Sequence, residues 1–230
     1  MKNIAIYGAG GYGQEVACLI KAINTIECQW NLIGFFDDAK PIGCEVAYGK
    51  ILGGIHELNQ WTEELSVVMA IGNPVALEKL TMQMVNPLID FPNLIASDVC
   101  YHDRESVKMG KGNVIFFRSL VSCHVTMGNF NLLNNDVFVG HNSIIGSYNV
   151  MNPSVRVSGN VSIGNTNFLG VSSVVLQTLK IGNGIVLGAG SVLIRKPKDG
   201  NTYVGFGVLA IFYRLCIDRY ATPEHVGTII

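Results

Sequence analysis

Aliphatic residues recur at every sixth position through the second half of the chain. Between positions 109 and 193, all fifteen residues in this register are Met, Ile, Leu or Val. A period of six fits neither a helix face, which repeats every ~3.6 residues, nor a long strand with alternating faces. It predicts short strands with a corner after every six residues.

Three such strands close one triangular coil, in which each aliphatic side chain points inward and stacks on the one eighteen residues away. The fifteen hexads therefore predict five coils of a parallel β-solenoid. Glycine and asparagine are expected at its tight corners, because both tolerate unusual backbone geometry. Glycine directly follows eight of the aliphatic residues, at Gly110, Gly128, Gly140, Gly146, Gly164, Gly170, Gly182 and Gly188. An ordinary β-sandwich with coincidental spacing is the alternative.

The first 95 residues follow a different pattern. A short apolar strand over residues 3–8 leads into a glycine-rich turn over residues 8–13, and apolar side chains at helical spacing follow over residues 14–23. Two more apolar strands end at residues 37–38 and 72–73. This order predicts a small parallel α/β domain.

The glycine turn has the spacing G-x-G-x-x-G, which brings backbone N–H groups at a helix N-terminus close to a phosphate. Ligands of such sheets bind beyond the carboxyl ends of the strands. The candidates for ligand binding are therefore Gly8, Gly10, Gly13, Asp37 and Gly72. A purely structural turn, with Asp37 as a strand-end cap, is the alternative.

Composition and charge exclude several classes of protein. The chain has 26 glycines, only 14% charged residues and a net charge of −1, and no Lys/Arg cluster suggests nucleic acid binding. Residues 157–179 are uncharged, but their many polar side chains exclude a membrane span. The N-terminus does not resemble a signal peptide, and the six cysteines are scattered without a C-x-x-C pair. We therefore expect a cytoplasmic protein with free thiols.

The hexads over residues 107 to about 195 resemble those of hexapeptide-repeat acyltransferases. With the segments GAGGYG, IGFFDD, ILGG and AIGN, the chain resembles over nearly its whole length the sialic acid O-acetyltransferase and bacterial nucleotide-aminosugar N-acetyltransferase group. The resemblance implies an α/β Rossmann-like domain over residues 1–95, which holds the nucleotide. It also implies a left-handed parallel β-helix over residues 96–202 and a C-terminal cap over residues 203–230. Members of the group are usually trimers with active sites between neighbouring prisms, so a homotrimer is expected.

Acyl transfer from a thioester to a sugar amine or hydroxyl requires a base, and a histidine suits that role near neutral pH. His141 occupies an outward position in the segment NNDVFVGHNSIIG. This segment resembles the family's N...HD-x-x-IG motif, which implies that His141 is the base and Asn134 its conserved-type asparagine. The chain departs from the motif at Asn142, where an acidic residue is usual, and at Val150, where a second histidine is usual. Asn142 can hydrogen-bond to the ring but adds no negative charge.

The resemblance further implies acetyl-CoA as co-substrate, bound along the C-terminal coils between prisms, with no metal. The backbone of Gly170, Gly188 and Ala189 is a candidate for contacts with the pantetheine arm, and Arg195 and Lys196 for contacts with CoA phosphates. Repeat geometry explains the glycines, and a solvated chain end explains the cations, equally well. The family's G-x-P-A stretch is replaced by GFGV at residues 205–208, and residues 209–220 are predicted to form a capping helix.

These features predict an acetyl-CoA-dependent acetyltransferase that acts on a sugar amine or hydroxyl. A nucleotide-linked aminosugar or a sialic-acid-type sugar of surface glycan biosynthesis is the expected acceptor. Two alternatives stay open. One is a weakened or inactive β-helix scaffold that binds nucleotide sugars, and the other is a serine-type O-acetyltransferase of small molecules.

Overall fold

The structure, a computed structural model, describes residues 1–205. The predicted capping helix over residues 209–220, and almost all of the predicted cap, lie outside this range. The first 90 residues form an α/β unit whose six strands have the order β3-β4-β2-β1-β5-β6. Its elements are β1 (Lys2–Tyr7), α1 (Gly11–Asn24), β2 (Trp30–Phe36), β3 (Glu45–Val46), β4 (Gly49–Gly53), α2 (Ile55–Asn59), β5 (Leu65–Met69), α3 (Pro74–Gln83) and β6 (Ile89–Asp90).

Strand pairing in this unit is parallel except between β3 and β4. The apolar run of β1 fills the centre of the sheet, and α1 turns Val16 and Ile20 inward against it. Helix α3 begins after Asn73, whose side chain accepts hydrogen bonds from the backbone N–H groups of Val75 and Ala76. The predicted α/β domain is thus built on local signals that the sequence carries plainly.

The rest of the described chain is a solenoid of eighteen two-residue strands in three parallel sheets. The first face contains β7 (Leu94–Ile95), β10 (Val114–Ile115), β13 (Leu132–Leu133), β16 (Val150–Met151), β19 (Phe168–Leu169), β22 (Val186–Leu187) and β24 (Thr202–Tyr203). The second face contains β8 (Cys100–Tyr101), β11 (Leu120–Val121), β14 (Phe138–Val139), β17 (Arg156–Val157), β20 (Val174–Val175) and β23 (Val192–Leu193). The third face contains β9 (Lys108–Met109), β12 (Thr126–Met127), β15 (Ile144–Ile145), β18 (Ser162–Ile163) and β21 (Lys180–Ile181).

The aliphatic register coincides with the second residue of every strand from β9 to β23. Residues eighteen apart pair across neighbouring strands, as Val121 does with Val139 and Val139 with Val157. Each such side chain that is fully buried contributes roughly 1.5 to 3 kcal/mol. Ile95, Tyr101 and Tyr203 extend the same interior beyond the predicted repeat, so the eighteen strands make six coils rather than five.

Glycine has a different role from the one expected at the corners. The corner residues at positive φ are mostly not glycine, and they are Arg118, His124, Phe130, Asp136, Asn142, Tyr148, Ser154, Asn160, Thr166, Ser172 and Thr178. The glycines that follow the aliphatic residues do not have positive φ. A Cβ on Gly140 would lie 2.5 Å from the carbonyl carbon of Ser158 in the next coil. These glycines therefore allow close approach between coils, and the expectation that they serve the turn was wrong.

A buried ladder of asparagines joins the coils along the first face. Each member donates from Nδ2 to Oδ1 of the asparagine one coil earlier, at 2.9–3.0 Å, and to a glycine carbonyl. The amides are at most 1% exposed, so these hydrogen bonds satisfy groups that would otherwise be costly to bury. The members are Asn113, Asn131, Asn149 and Asn167.

The α/β unit packs on the first face of the solenoid. Val16 and Ile20 of α1 belong to the same buried cluster as Val114, Leu132 and Val150 of the prism. The two parts of the chain therefore share one apolar core. None of the three helices in residues 1–205 is long and apolar enough to cross a bilayer.

Candidate active site

His141 lies on the corner that follows the second face, which we call the second corner. It comes two residues after the inward-facing Val139, and its side chain is exposed. The backbone on either side is held by the neighbouring coils, since Asn142 N donates to Cys123 O at 3.0 Å and Asn160 N donates to His141 O at 2.8 Å. The His141 side chain is thus attached to backbone that hydrogen bonds hold on both sides.

Asn142 contacts the imidazole directly. Its Nδ2 lies 3.1 Å from Nδ1 of His141. An amide N–H donates, so in this orientation Nδ1 accepts and the ring proton is on Nε2. A half-turn of the amide presents Oδ1 instead, Nδ1–H then donates, and Nε2 keeps a free lone pair. The second orientation is the one that a general base requires.

The eighteen-residue register stacks Cys123, His141 and Gly159 in one column on the second corner. The backbone hydrogen bonds Asn142 to Cys123 and Asn160 to His141 show that these residues occupy equivalent places in successive coils. We did not select Cys123 or Gly159 from the sequence as neighbours of His141. The eighteen-residue period of the coils was the signal that could have identified both, because Cys123 precedes His141 by eighteen residues and Gly159 follows it by eighteen.

Asn134 stands on a different corner, the one that follows the first face, which we call the first corner. Its Oδ1 accepts from Asn135 N at 2.7 Å, and its N donates to Met151 O at 2.9 Å. Among the residues that the structure describes, no hydrogen bond joins Asn134 to His141. One chain therefore does not bring the two motif residues together.

The candidates for CoA binding are divided between the same two corners. Gly170 and Gly188 continue the column of Asn134 on the first corner, and Ala189 follows as an exposed residue. A Cβ on Gly170 would lie 2.6 Å from Ala189 N, so Gly170 is needed for coil contact. Arg195, which is exposed, continues the column of His141 on the second corner, and the exposed Lys196 continues that of Asn142.

The candidates for nucleotide binding meet at the carboxyl edge of β1, β2 and β5, as predicted. Gly8 N donates to Phe36 O at 2.7 Å, which holds the glycine turn against the end of β2. Gly8 has φ +106, and a Cβ there would lie 2.7 Å from Ala70 O. A Cβ on Gly13 would collide with Gly8 O, whereas Gly10 and Gly72 face open space. Gly8 and Gly13 thus allow the close backbone contacts within the turn, whereas the positions of Gly10 and Gly72 border open space.

Asp37 and Asp38 have separate structural contacts. Asp37 accepts from Ala9 N at 2.8 Å and from Ala39 N at 2.9 Å, so it caps the glycine turn. Asp38 accepts from the Tyr7 hydroxyl and from Ile55 N. Burial, together with the hydrogen bond to Asp38, raises the pKa of Tyr7 well above its usual value. The sequence did not indicate this role of Asp38.

The strands of the second face carry one charged residue, Arg156. Arg156, which is isolated in the sequence, donates to Asp136 at 2.9 Å. Hydrogen bonds from Arg156 and Ser154 hold the pKa of the Asp136 carboxyl below its usual value. The pair adds no net charge to this wall. Residues 1–205 contain no cluster of three or more His, Cys, Asp or Glu side chains suited to a metal ion.

An open cavity of about 430 Å³ lies where α1 meets the prism. It extends from the start of α1 to Asn135, the neighbour of Asn134 on the first corner. It is lined by Gly11, Gln14, Glu15, Cys18, Tyr48, Phe116, Phe117 and Asn135. The glycine turn and the first corner are therefore connected by a continuous surface depression.

The sequence profile of the PglD N-terminal domain family matches residues 3–84. The α/β unit is therefore similar to the PglD N-terminal domain. The comparison with curated proteins finds no match for the chain.

Solved structures match the α/β unit and the β-helix together. The acetyltransferase domain of PglB from Neisseria gonorrhoeae FA1090, in complex with acetyl coenzyme A, is 26% identical with a TM-score of 0.81, over 91% of this chain and 99% of that one. PerB from Caulobacter crescentus, in complex with CoA and GDP-perosamine, is 22% identical with a TM-score of 0.82, over 92% and 98%. WeeI from Acinetobacter baumannii AYE is 23% identical with a TM-score of 0.81, over 92% and 100%.

These matches confirm the predicted fold class, a Rossmann-like α/β domain followed by a left-handed parallel β-helix. They also confirm the resemblance to bacterial sugar acyltransferases on which that prediction depended. The predicted enzyme class, acetyltransferase, is confirmed by the PglB domain, which matches almost the whole described chain.

Proposed function

We propose that the chain transfers an acetyl group from acetyl-CoA to the amino group of a nucleotide-linked aminosugar. The observation that carries the proposal is His141, an exposed imidazole on rigid backbone beside a charge-poor wall, in a chain whose fold matches an acetyltransferase bound to acetyl coenzyme A. The amine is preferred to a hydroxyl because the similar PerB binds GDP-perosamine.

In this mechanism His141 acts as general base. The neutral amine attacks the thioester carbonyl, a C–N bond forms, and Nε2 takes the proton that the nitrogen loses. The C–S bond then breaks, and the proton passes to the departing CoA sulfur. The thiol is a good leaving group, so positioning of the two substrates supplies much of the rate.

The active site is composed of two protomers in a homotrimer. Asn134, Gly170, Gly188 and Ala189 stand on the first corner, while His141 stands on the second, so one prism cannot gather them. A neighbouring copy that presents its first corner to this second corner completes the set. The second face supports such a contact, because its outward strand residues other than the ion-paired Arg156 are uncharged and lose little hydration on burial.

The α/β unit holds the nucleotide. Helix α1 begins at the glycine turn with no side-chain cap and no acidic residue in its first turn, so its N–H groups are free to bind phosphate. The Asp37 carboxylate accepts one backbone hydrogen bond on each oxygen and keeps further lone pairs that can accept from a ribose hydroxyl. The cavity beside Gly11 supplies a path from this turn towards the first corner. Because nucleotide sugars and acetyl-CoA are cytoplasmic metabolites, we place the reaction in the cytoplasm.

A thiol-release assay with acetyl-CoA tests the proposal. UDP- and GDP-linked aminosugars, free sialic acid and serine serve as acceptors. Release of CoA with a nucleotide-linked aminosugar, and N-acetylated product by mass spectrometry, is the expected result. CoA release with only serine or only sialic acid would show that the acceptor is not a nucleotide-linked aminosugar. No CoA release with any acceptor, despite nucleotide-sugar binding, would favour the inactive scaffold.

A further inference from the structure

Gly159 lies one coil beyond His141 in the same column of the second corner. Asn160 N donates to His141 O at 2.8 Å, and Thr178 N donates to Gly159 O at 3.1 Å, so the backbone at 159 is fixed on both sides. Gly159 does not have a positive φ. Its backbone conformation is therefore open to any residue, and something other than the turn requires glycine here.

The imidazole of His141 occupies the space that a side chain at position 159 would fill. A Cβ on Gly159 would lie 2.5 Å from Nε2, 2.7 Å from Cε1 and 3.0 Å from Cδ2 of His141. These are the three nearest atoms, and no backbone atom is among them. Gly140 differs, because its Cβ would collide with the backbone of the next coil.

We propose that Gly159 is a positioning residue for His141, in that its missing side chain leaves the notch in which the imidazole rests. The ring is then held from two directions, by the Asn142 amide at Nδ1 and by the bare backbone of Gly159 beside Nε2. This inference rests on the proposed role of His141 as the base.

We expect alanine at position 159 to displace the imidazole and leave the fold unchanged, because the three nearest atoms to its Cβ belong to a side chain with rotatable bonds. A misplacement of about 1 Å at a reacting group costs up to ~10²-fold in rate. We therefore expect Gly159→Ala to lower kcat by about 10- to 100-fold. The thermal midpoint and the KM for acetyl-CoA are expected to change little.

The experiment compares the wild-type full-length protein, Gly159→Ala and the neighbouring control Ser158→Ala. CoA release gives kcat and KM, thermal unfolding gives stability, and the His141 ring resonances, assigned with His141→Ala, report the ring environment by NMR. The expected result is a shifted ring signal and a reduced kcat in Gly159→Ala alone. An unshifted ring signal or an unchanged kcat would overturn the inference.

Acetyl-CoA binding in the His141→Ala background separates positioning from direct obstruction. Once the ring is absent, adding Gly159→Ala should leave the Kd for acetyl-CoA unchanged. A weaker Kd there would mean that the methyl group meets the co-substrate itself, which contradicts the inference. Failure of the proposed function is distinguishable from failure of this inference. If the proposed function is wrong, the wild-type protein releases no CoA, but the NMR comparison of wild type with Gly159→Ala still reports the position of the His141 ring.

Discussion

Asn142→Asp restores the acidic residue that the motif usually carries next to the base. Asn142 has φ 55, a left-handed conformation that Asp adopts about as readily as Asn, so the corner should be unchanged. The substitution replaces the amide nitrogen, 3.1 Å from Nδ1 of His141, with a carboxylate oxygen. It removes the orientation in which Nδ1 accepts a hydrogen bond from residue 142, because an ionised carboxylate only accepts.

The size of the effect follows from the distance. A unit charge about 3 Å from the ring stabilises the imidazolium by about 1 kcal/mol at the dielectric constant of water, and salt reduces this because both side chains are exposed. About 1.4 kcal/mol corresponds to one pH unit. We expect the acid limb of the pH–rate profile to move upward by roughly 0.5 to 1 unit. The rate on the alkaline plateau should rise severalfold, because the base is stronger and its Nε2 is unprotonated.

The assay is CoA release from pH 5 to 9 at saturating substrates, at low and high salt. Thr178→Asp is the matched control, since Thr178 occupies the equivalent corner position two coils further along at φ 65. It adds the same charge at a greater distance from the ring and should shift the limb much less. Superimposable profiles for wild type and Asn142→Asp, or equal shifts in both variants, would refute the role given to residue 142.

Two predictions concern stability. Asn149→Ala should lower the free energy of unfolding by about 3 kcal/mol in urea titrations, because Asn167 Nδ2 and Gly164 O lose buried partners. Gln177→Ala is the control, because Gln177 is exposed and does not have a positive φ. A loss below about 1 kcal/mol in Asn149→Ala would contradict the ladder's importance. The pKa of Asp136 is lower in the folded state than in the unfolded state. Its pairing with Arg156 therefore stabilises the fold fully at pH values above the unfolded carboxyl pKa of ~4. This stabilisation is lost as the pH falls through the folded-state pKa. Thermal midpoints from pH 2 to 7 should therefore fall less at acid pH in Asp136→Asn than in wild type, and parallel curves would contradict this.

The solenoid could be predicted because its side chains repeat with the geometry of the fold. One count of six locates each inward position, and the corner positions follow from it. The eighteen-residue register also predicts which residues are neighbours, although we did not use it to pair Cys123 or Gly159 with His141. The asparagine ladder was missed for the same reason, since its members look unrelated until they are aligned by coil.

Other features depend on contacts that no period encodes. Asp37 and Asp38 are adjacent after β2, but one caps the glycine turn and the other holds Tyr7 and α2. The role of glycine between coils required the distance between backbones. Asn134 and His141 are seven residues apart in the motif, and a coil with a corner every six residues places them on different corners.

The rate of CoA release by His141→Ala, with acetyl-CoA and a nucleotide-linked aminosugar, is the decisive measurement of whether His141 is the general base. His124→Ala is the control histidine variant, because His124 is exposed on the same corner one coil earlier, in the column of Asn142 at φ 54. We expect kcat to fall by about 10² to 10⁴-fold in His141→Ala, with normal thermal unfolding, and to be unchanged in His124→Ala. A His141→Ala variant that releases CoA as fast as the wild type would contradict it.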